Sequence, residues 1–160
     1  MQQLDSATEF APVNATLSVR GSATGSRARP DQSCVLVVDD DGGVRAVVAR
    51  VLETAGITVL VAADGFEALE LLDREDRHID LVLTDVSMPR LGGIELGRQI
   101  AARQRPIPVL YMSANPPEVL PGRAGPIQQC LLKPFSINRL LTTIGQLLPL
   151  QATTALQNIL

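Results

Sequence analysis

Three short apolar runs in this chain each end on a charged residue. Val35-Leu36-Val37-Val38 runs into Asp39-Asp40, Leu81-Val82-Leu83-Thr84 into Asp85, and Cys130-Leu131-Leu132 into Lys133-Pro134. A carboxylate at the end of a buried strand is costly unless something pairs with it. If the first and third strands lie side by side in an open sheet, their carboxyl ends bring Asp39, Asp40 and Asp85 into one acidic cluster. The natural neutraliser of three such carboxylates is a hard divalent cation such as Mg2+, which prefers oxygen ligands and keeps several waters. A carboxylate beside that cation is also a competent nucleophile towards a phosphoryl group, whose charge Lys133 is placed to offset.

The elements that must position these residues alternate. Cys34 to Val38 is a continuous β-branched and apolar run, the pattern of a parallel strand covered on both faces. Val44, Val47, Val48, Val51, Leu52 and Ala55 then recur at helical spacing until Gly56 stops them. Ile57 to Ala62 returns to strand composition. Asp64 precedes Glu67 by three residues in a capping-box pattern, and Phe66, Leu69 and Leu72 supply the apolar face of a second helix. Ile79 to Thr84 reads as the third strand, and Gly92-Gly93 leads into a helix with Ile94, Leu96 and Ile100 inward. Ile107 to Met112 and Ile127 to Leu132 read as the fourth and fifth strands. Ile137, Leu140, Leu141, Ile144, Leu147 and Leu148 supply the apolar side of a closing helix. Strand and helix in alternation predict a parallel sheet with helices on both faces. The segment from Asn115 to Pro126 breaks the rhythm, since Pro116, Pro117, Pro121 and Pro126 leave room for a turn or two of helix at most.

Composition bounds the partners. The chain has 160 residues, is 46% hydrophobic and 19% charged, and carries a formal net charge of -3, which suits one globular domain with tails. Aromatics are only 2% and no Lys/Arg run is present, so neither stacking platforms nor a phosphate-backbone track points to direct nucleic-acid binding. No stretch reaches transmembrane length and the amino end does not read as a secretory signal, so a cytoplasmic protein without membrane contact is expected. Residues 1–31 are poor in large apolar side chains and read as a disordered tail in preference to a transit peptide, despite Arg20, Arg27 and Arg29 in an acid-free stretch. The folded domain is placed at 32–149, and 150–160 is a short tail, too short for an output domain. Cys34 and Cys130 are too far apart for a metal-binding pair and read as small buried hydrophobes. His78 reads as a surface loop residue.

Four pieces of the chain, taken in order, resemble the receiver domain of bacterial two-component response regulators: Val35 to Asp41, Asp80 to Pro89, Pro108 to Ala114 and Leu131 to Phe135. The resemblance covers about Ser33 to Leu148. It implies a flavodoxin-like, doubly wound α/β fold with a five-stranded parallel sheet in the order 2-1-3-4-5. By position, it implies that Asp85 is the phosphoacceptor, that Asp40 binds Mg2+ directly and Asp39 largely through water, and that the Ser87 backbone carbonyl completes the protein ligands. Ser113 matches the hydroxyl residue that follows the phosphoryl group, and Lys133 the cation that pairs with it, in a cis peptide bond to Pro134. Asp41 lies outside this set and reads as a helix cap.

The function so implied is a phosphoacceptor of a two-component phosphorelay, charged in a Mg2+-dependent reaction by a sensor histidine kinase or a histidine phosphotransfer protein, without its own output domain. Catalysis would be confined to self-phosphorylation from a phosphodonor and autodephosphorylation, so the chain is not an enzyme in the usual sense. A weak homodimer is compatible with this reading. Three departures stand out. Cys130 occupies a place where the family usually carries Tyr or Phe, the fourth helix is broken by prolines, and Gly92 replaces a frequent Asp, a neutral change. The first two motivate an alternative, a receiver-like binding adaptor that works without phosphorylation. A phosphohydrolase built on an aspartyl phosphate generally needs a second carboxylate two residues beyond the nucleophile, where this chain has Ser87.

Overall fold

The computed structural model describes residues 32–74, 78–115 and 129–148. Among the described residues there are five strands and four helices, in chain order β1 (Cys34–Val38), α1 (Gly42–Thr54), β2 (Thr58–Ala62), α2 (Gly65–Leu72), β3 (Leu81–Asp85), α3 (Gly93–Ala101), β4 (Val109–Ser113), β5 (Gln129–Leu132) and α4 (Ile137–Leu147). All strand pairs are parallel and the sheet order is β2-β1-β3-β4-β5. This is the doubly wound order, with the reversal falling between β1 and β3.

The two-residue period of the strands sorts their side chains onto two cores. Val35 and Val37 of β1, Leu81 and Leu83 of β3, and Leu110 and Met112 of β4 pack on one face with Val48 and Leu52 of α1 and Leu140, Leu141 and Ile144 of α4. Leu36, Val38 and Val82 face the other way, onto Ala68 of α2 and Leu96 and Ile100 of α3. A strand buried on both faces needs apolar residues at every position, which is why β1 reads as five buried residues in a row.

The helix ends follow local chemistry. Asp41 caps α1 by accepting from the N–H groups of Gly43 (2.7 Å) and Val44 (3.1 Å). Gly56 takes a positive φ of 79° just past the end of α1, a conformation that Gly adopts at no steric cost. Asp64 caps α2 at the N–H groups of Phe66 and Glu67, while Glu67 accepts from the N–H of Ala63 at 2.7 Å, one residue before the usual capping-box donor.

Strand ends differ from the sequence expectation by a residue or two. Asp85 and Ser113 are the last residues of β3 and β4, because the ladder continues through Asp85 with Met112 and Ser113 with Leu132. Cys34 is buried as expected, whereas Cys130 is only half-buried on the edge strand. His78 is 82% exposed and lies 3.1 Å from Asp80. Residues 1–31, the proline-rich segment beyond Asn115 and the C-terminal tail, for which the sequence predicts a disordered tail, a broken helix and a short tail, lie outside the described residues.

Candidate functional site

The parallel register sets Val38 beside Thr84, so the next residue along each strand, Asp39 and Asp85, stand at the same end of neighbouring strands. Both are buried, Asp39 to 1% and Asp85 to 8% exposure. Lys133 follows β5, held there by its own N–H donating to the Ser113 carbonyl at 2.8 Å. From that point its side chain spans the sheet end, and Nζ donates to Asp85 Oδ1 at 2.6 Å and Asp39 Oδ2 at 3.0 Å. The Lys133-Pro134 bond is cis, as the sequence resemblance implied.

The remaining oxygens are held by the backbone. Asp39 Oδ1 accepts from the N–H of Asp41 at 2.9 Å, and Asp85 Oδ2 from the N–H of Ser87 at 2.6 Å. Each carboxylate therefore has one oxygen fixed by the chain and one turned to the ammonium. Burial works against the charge on Lys133, but its hydrogen bonds to Asp85 and Asp39 outweigh that cost and raise its pKa above the ordinary 10.5. The ammonium stays protonated at neutral pH.

Ser113 ends β4 between the strands that carry Asp85 and Lys133. It is 3% exposed, and its Oγ accepts from the N–H of Asn115 at 3.1 Å. Asp40 and Ser87 are exposed at the rim. The structure thus brings Asp39, Asp85 and Lys133 into direct contact, with Ser87 tied to Asp85 through its N–H. It does not draw Asp40 into the buried cluster, and among the described residues no three acidic, His or Cys side chains close on a common point. Asp41 is a helix cap, with its pKa lowered by the Val44 and Gly43 N–H groups.

Does this donor set fit a divalent cation? Two buried carboxylates face one partly exposed ammonium, which leaves one negative charge uncompensated at the carboxyl end of the sheet. Asp40 adds a further carboxylate on the exposed side. Donors that are all oxygen, with an excess of negative charge, match a hard cation with retained waters. The residues fit Mg2+.

Two features escaped the sequence reading. Arg45, one turn into α1, donates from Nη1 to the Asp39 carbonyl at 2.5 Å and so braces the β1–α1 loop. Its place on the first turn of a helix that opens at the acidic end was the available signal. The second is Tyr111. It stands beside Cys130 in the β4–β5 register, is buried, and packs with Val86, Ile94 and Cys130. An aromatic side chain thus occupies the region where the sequence resemblance marks Cys130 as the missing one.

Comparison with known proteins agrees with this architecture. A sequence profile described as "Response regulator receiver domain" matches residues 35–145. The response regulator MprA of Mycobacterium ulcerans (strain Agy99) is 41% identical over 116 residues, which span 71% of this chain and 49% of that protein. The chain therefore spans about half the length of the curated relatives it matches. Among solved structures, the receiver domain of the hybrid histidine kinase CckA superposes with a TM-score of 0.61 at 33% identity, covering 73% of this chain and all of that one (100%). The response regulator TrrA of Thermotoga maritima, solved in complex with Mg2+ and BeF, superposes with a TM-score of 0.64 at 25% identity, again over 73% of this chain and 100% of the other. With the sheet order, the strand-end carboxylates and the profile match in agreement, the chain belongs to the response regulator receiver domain family of two-component signalling.

Proposed function

We propose that Asp85 is the phosphoacceptor of this receiver, charged in a Mg2+-dependent reaction from the phosphohistidine of a sensor histidine kinase or histidine phosphotransfer protein. The observation that carries the reading is the pairing of buried Asp85 with Lys133 at 2.6 Å, beside a second buried carboxylate that an incoming cation can use. In the transfer, an Asp85 carboxylate oxygen forms a bond to phosphorus, the bond from phosphorus to the donor imidazole nitrogen breaks, and its electron pair returns to that nitrogen. Lys133 offsets charge on the phosphoryl oxygens, and the Ser113 hydroxyl stands at the neighbouring strand end for the same purpose. Asp39, Asp40, Asp85 and the Ser87 carbonyl would hold Mg2+, which when bound neutralises the developing phosphoryl charge. The chemistry is confined to the chain's own aspartate, so the domain works as a signalling switch and not as an enzyme on a separate substrate.

The test is labelling with acetyl phosphate and Mg2+, read by intact mass. One acid-labile phosphoryl group is expected, absent without Mg2+ and absent in Asp85→Asn, which keeps the shape and removes the nucleophile. Equal labelling of Asp85→Asn overturns the assignment. A folded wild-type chain that takes no label from any donor supports instead the phosphorylation-independent adaptor.

A further inference from the structure

Arg90 is the one described residue other than Gly with a positive φ, at 65°. A side chain resists that conformation, so something must hold it there. Its guanidinium forms an ion pair with Asp64, the N-cap of α2, which is only 2% exposed. The same guanidinium lies 5.9 Å from the centroid of the Phe66 ring on the first turn of α2. Asp64 meanwhile spends its other oxygen on the N–H groups of Phe66 and Glu67. One buried carboxylate therefore serves two elements at once.

Arg90 belongs to the loop that leaves Asp85. The start of that loop is pinned by the Val86 N–H on the Met112 carbonyl (3.0 Å) and the Gly93 N–H on the Val86 carbonyl (3.1 Å). Its far end is fixed where Leu91, buried, lies so close to Gly65 of α2 that a Cβ there would meet Leu91 at 2.7 Å. Ser87, Met88 and Pro89 bridge the two anchors. We infer that the Arg90–Asp64 pair is a latch that fastens the β3–α3 loop to the start of α2, and that it positions Ser87 against Asp85. The role assigned to Ser87 rests on the proposed function; the latch itself rests on the contacts above.

Two variants separate the latch from general stability. Arg90→Gly removes the guanidinium while keeping a residue at home at positive φ, and Asp64→Asn keeps a good N-cap while removing the charge. Hydrogen exchange should show faster exchange at the Ser87 and Gly93 amides in each variant, with α4 and β1 unchanged. Phosphorylation of Asp85 by acetyl phosphate should slow about tenfold and need more Mg2+, the scale on which supporting partners of a metal site act. The double variant should be no worse than either single one, because both break the same pair. Unchanged exchange at Ser87 and Gly93 in both single variants overturns the latch, as do effects that add in the double variant. If wild-type chain takes no label, the proposed function fails while the exchange comparison still decides the latch.

Discussion

Lys133 is a single residue on which two buried carboxylates depend. Removing it as Lys133→Met leaves Asp39 and Asp85 facing each other without their ammonium, and the variant should lose about 1–3 kcal/mol in urea unfolding without Mg2+. At the same excess of Mg2+ the variant should gain more stability than the wild type. A cation at free concentration c that binds only the folded state stabilises it by RT ln(1 + c/Kd), and carboxylates without their ammonium bind the cation with a lower Kd. Equal gains from Mg2+ in both proteins would show that the metal does not use these carboxylates. Tyr111 allows a second measurement, since it is the only tyrosine and no Trp is present. Burial disfavours its phenolate and raises its pKa above the ordinary 10.0, while Arg98 pulls weakly the other way. The stabilisation from keeping it neutral is complete below 10.0 and is lost as pH rises through the higher folded value. Phenolate absorbance should therefore appear at a higher pH in the folded chain than in urea; coincident midpoints would contradict its burial. At this scale the sequence was most legible for residues whose charge is anomalous in an apolar run, such as Asp85 and Lys133. It was silent on Arg90, whose type and neighbours are ordinary and whose importance comes from a backbone angle and a partner 26 residues away.

Elements were legible where one force decides them. β1, α1 and α4 carry unbroken apolar periodicity and fall within a residue or two of the sequence expectation, whereas the ends of β3 and β4 depend on the ladder with a neighbour and so extend through polar Asp85 and Ser113. Packing between elements was not legible at all at Gly97. Host preference alone would make Gly97→Ala in the middle of α3 favourable by about 1 kcal/mol. Here a Cβ at residue 97 would strike the Tyr111 hydroxyl and come within 2.9 Å of its ring carbon Cζ, and the ring is buried and cannot easily retreat. Gly97→Ala is therefore expected to destabilise the domain by about 1–3 kcal/mol, as overpacked sites do. In a Tyr111→Leu background the same change should become neutral or stabilising. Thermal unfolding of the four proteins completes the cycle, and an unaltered penalty in the Leu background would place the clash elsewhere.

At the scale of the whole molecule, a phosphoryl group carried by Asp85, as proposed, would act through several elements at once. The site touches β1, β3, β4 and β5 through Asp39, Asp85, Ser113 and Lys133, so a ligand there reaches most of the sheet's carboxyl edge directly. The groups with freedom to respond lie on the loop after β3 and at the end of β4. Ser87 is exposed, and the Ser113 hydroxyl, which accepts from the Asn115 N–H, has its own proton available to donate to a phosphoryl oxygen, which would draw Asn115 with it. The neighbourhood of Cys130 has less to offer: the side chain is small, and the aromatic beside it, Tyr111, is wedged against Gly97. Two packings that differ by a few kcal/mol need a bulky group able to move between them, and among the described residues none is placed to do so at Cys130. Beryllofluoride with Mg2+, standing in for the bound phosphoryl group, should therefore change hydrogen exchange at Ser87 and Asn115 by more than tenfold, a bias of about 1.4 kcal/mol, and leave Cys130 to Leu132 within a factor of about two. Strong new protection at Cys130 with none at Ser87 or Asn115 would mean that the edge strand, and not the two loops, carries the response.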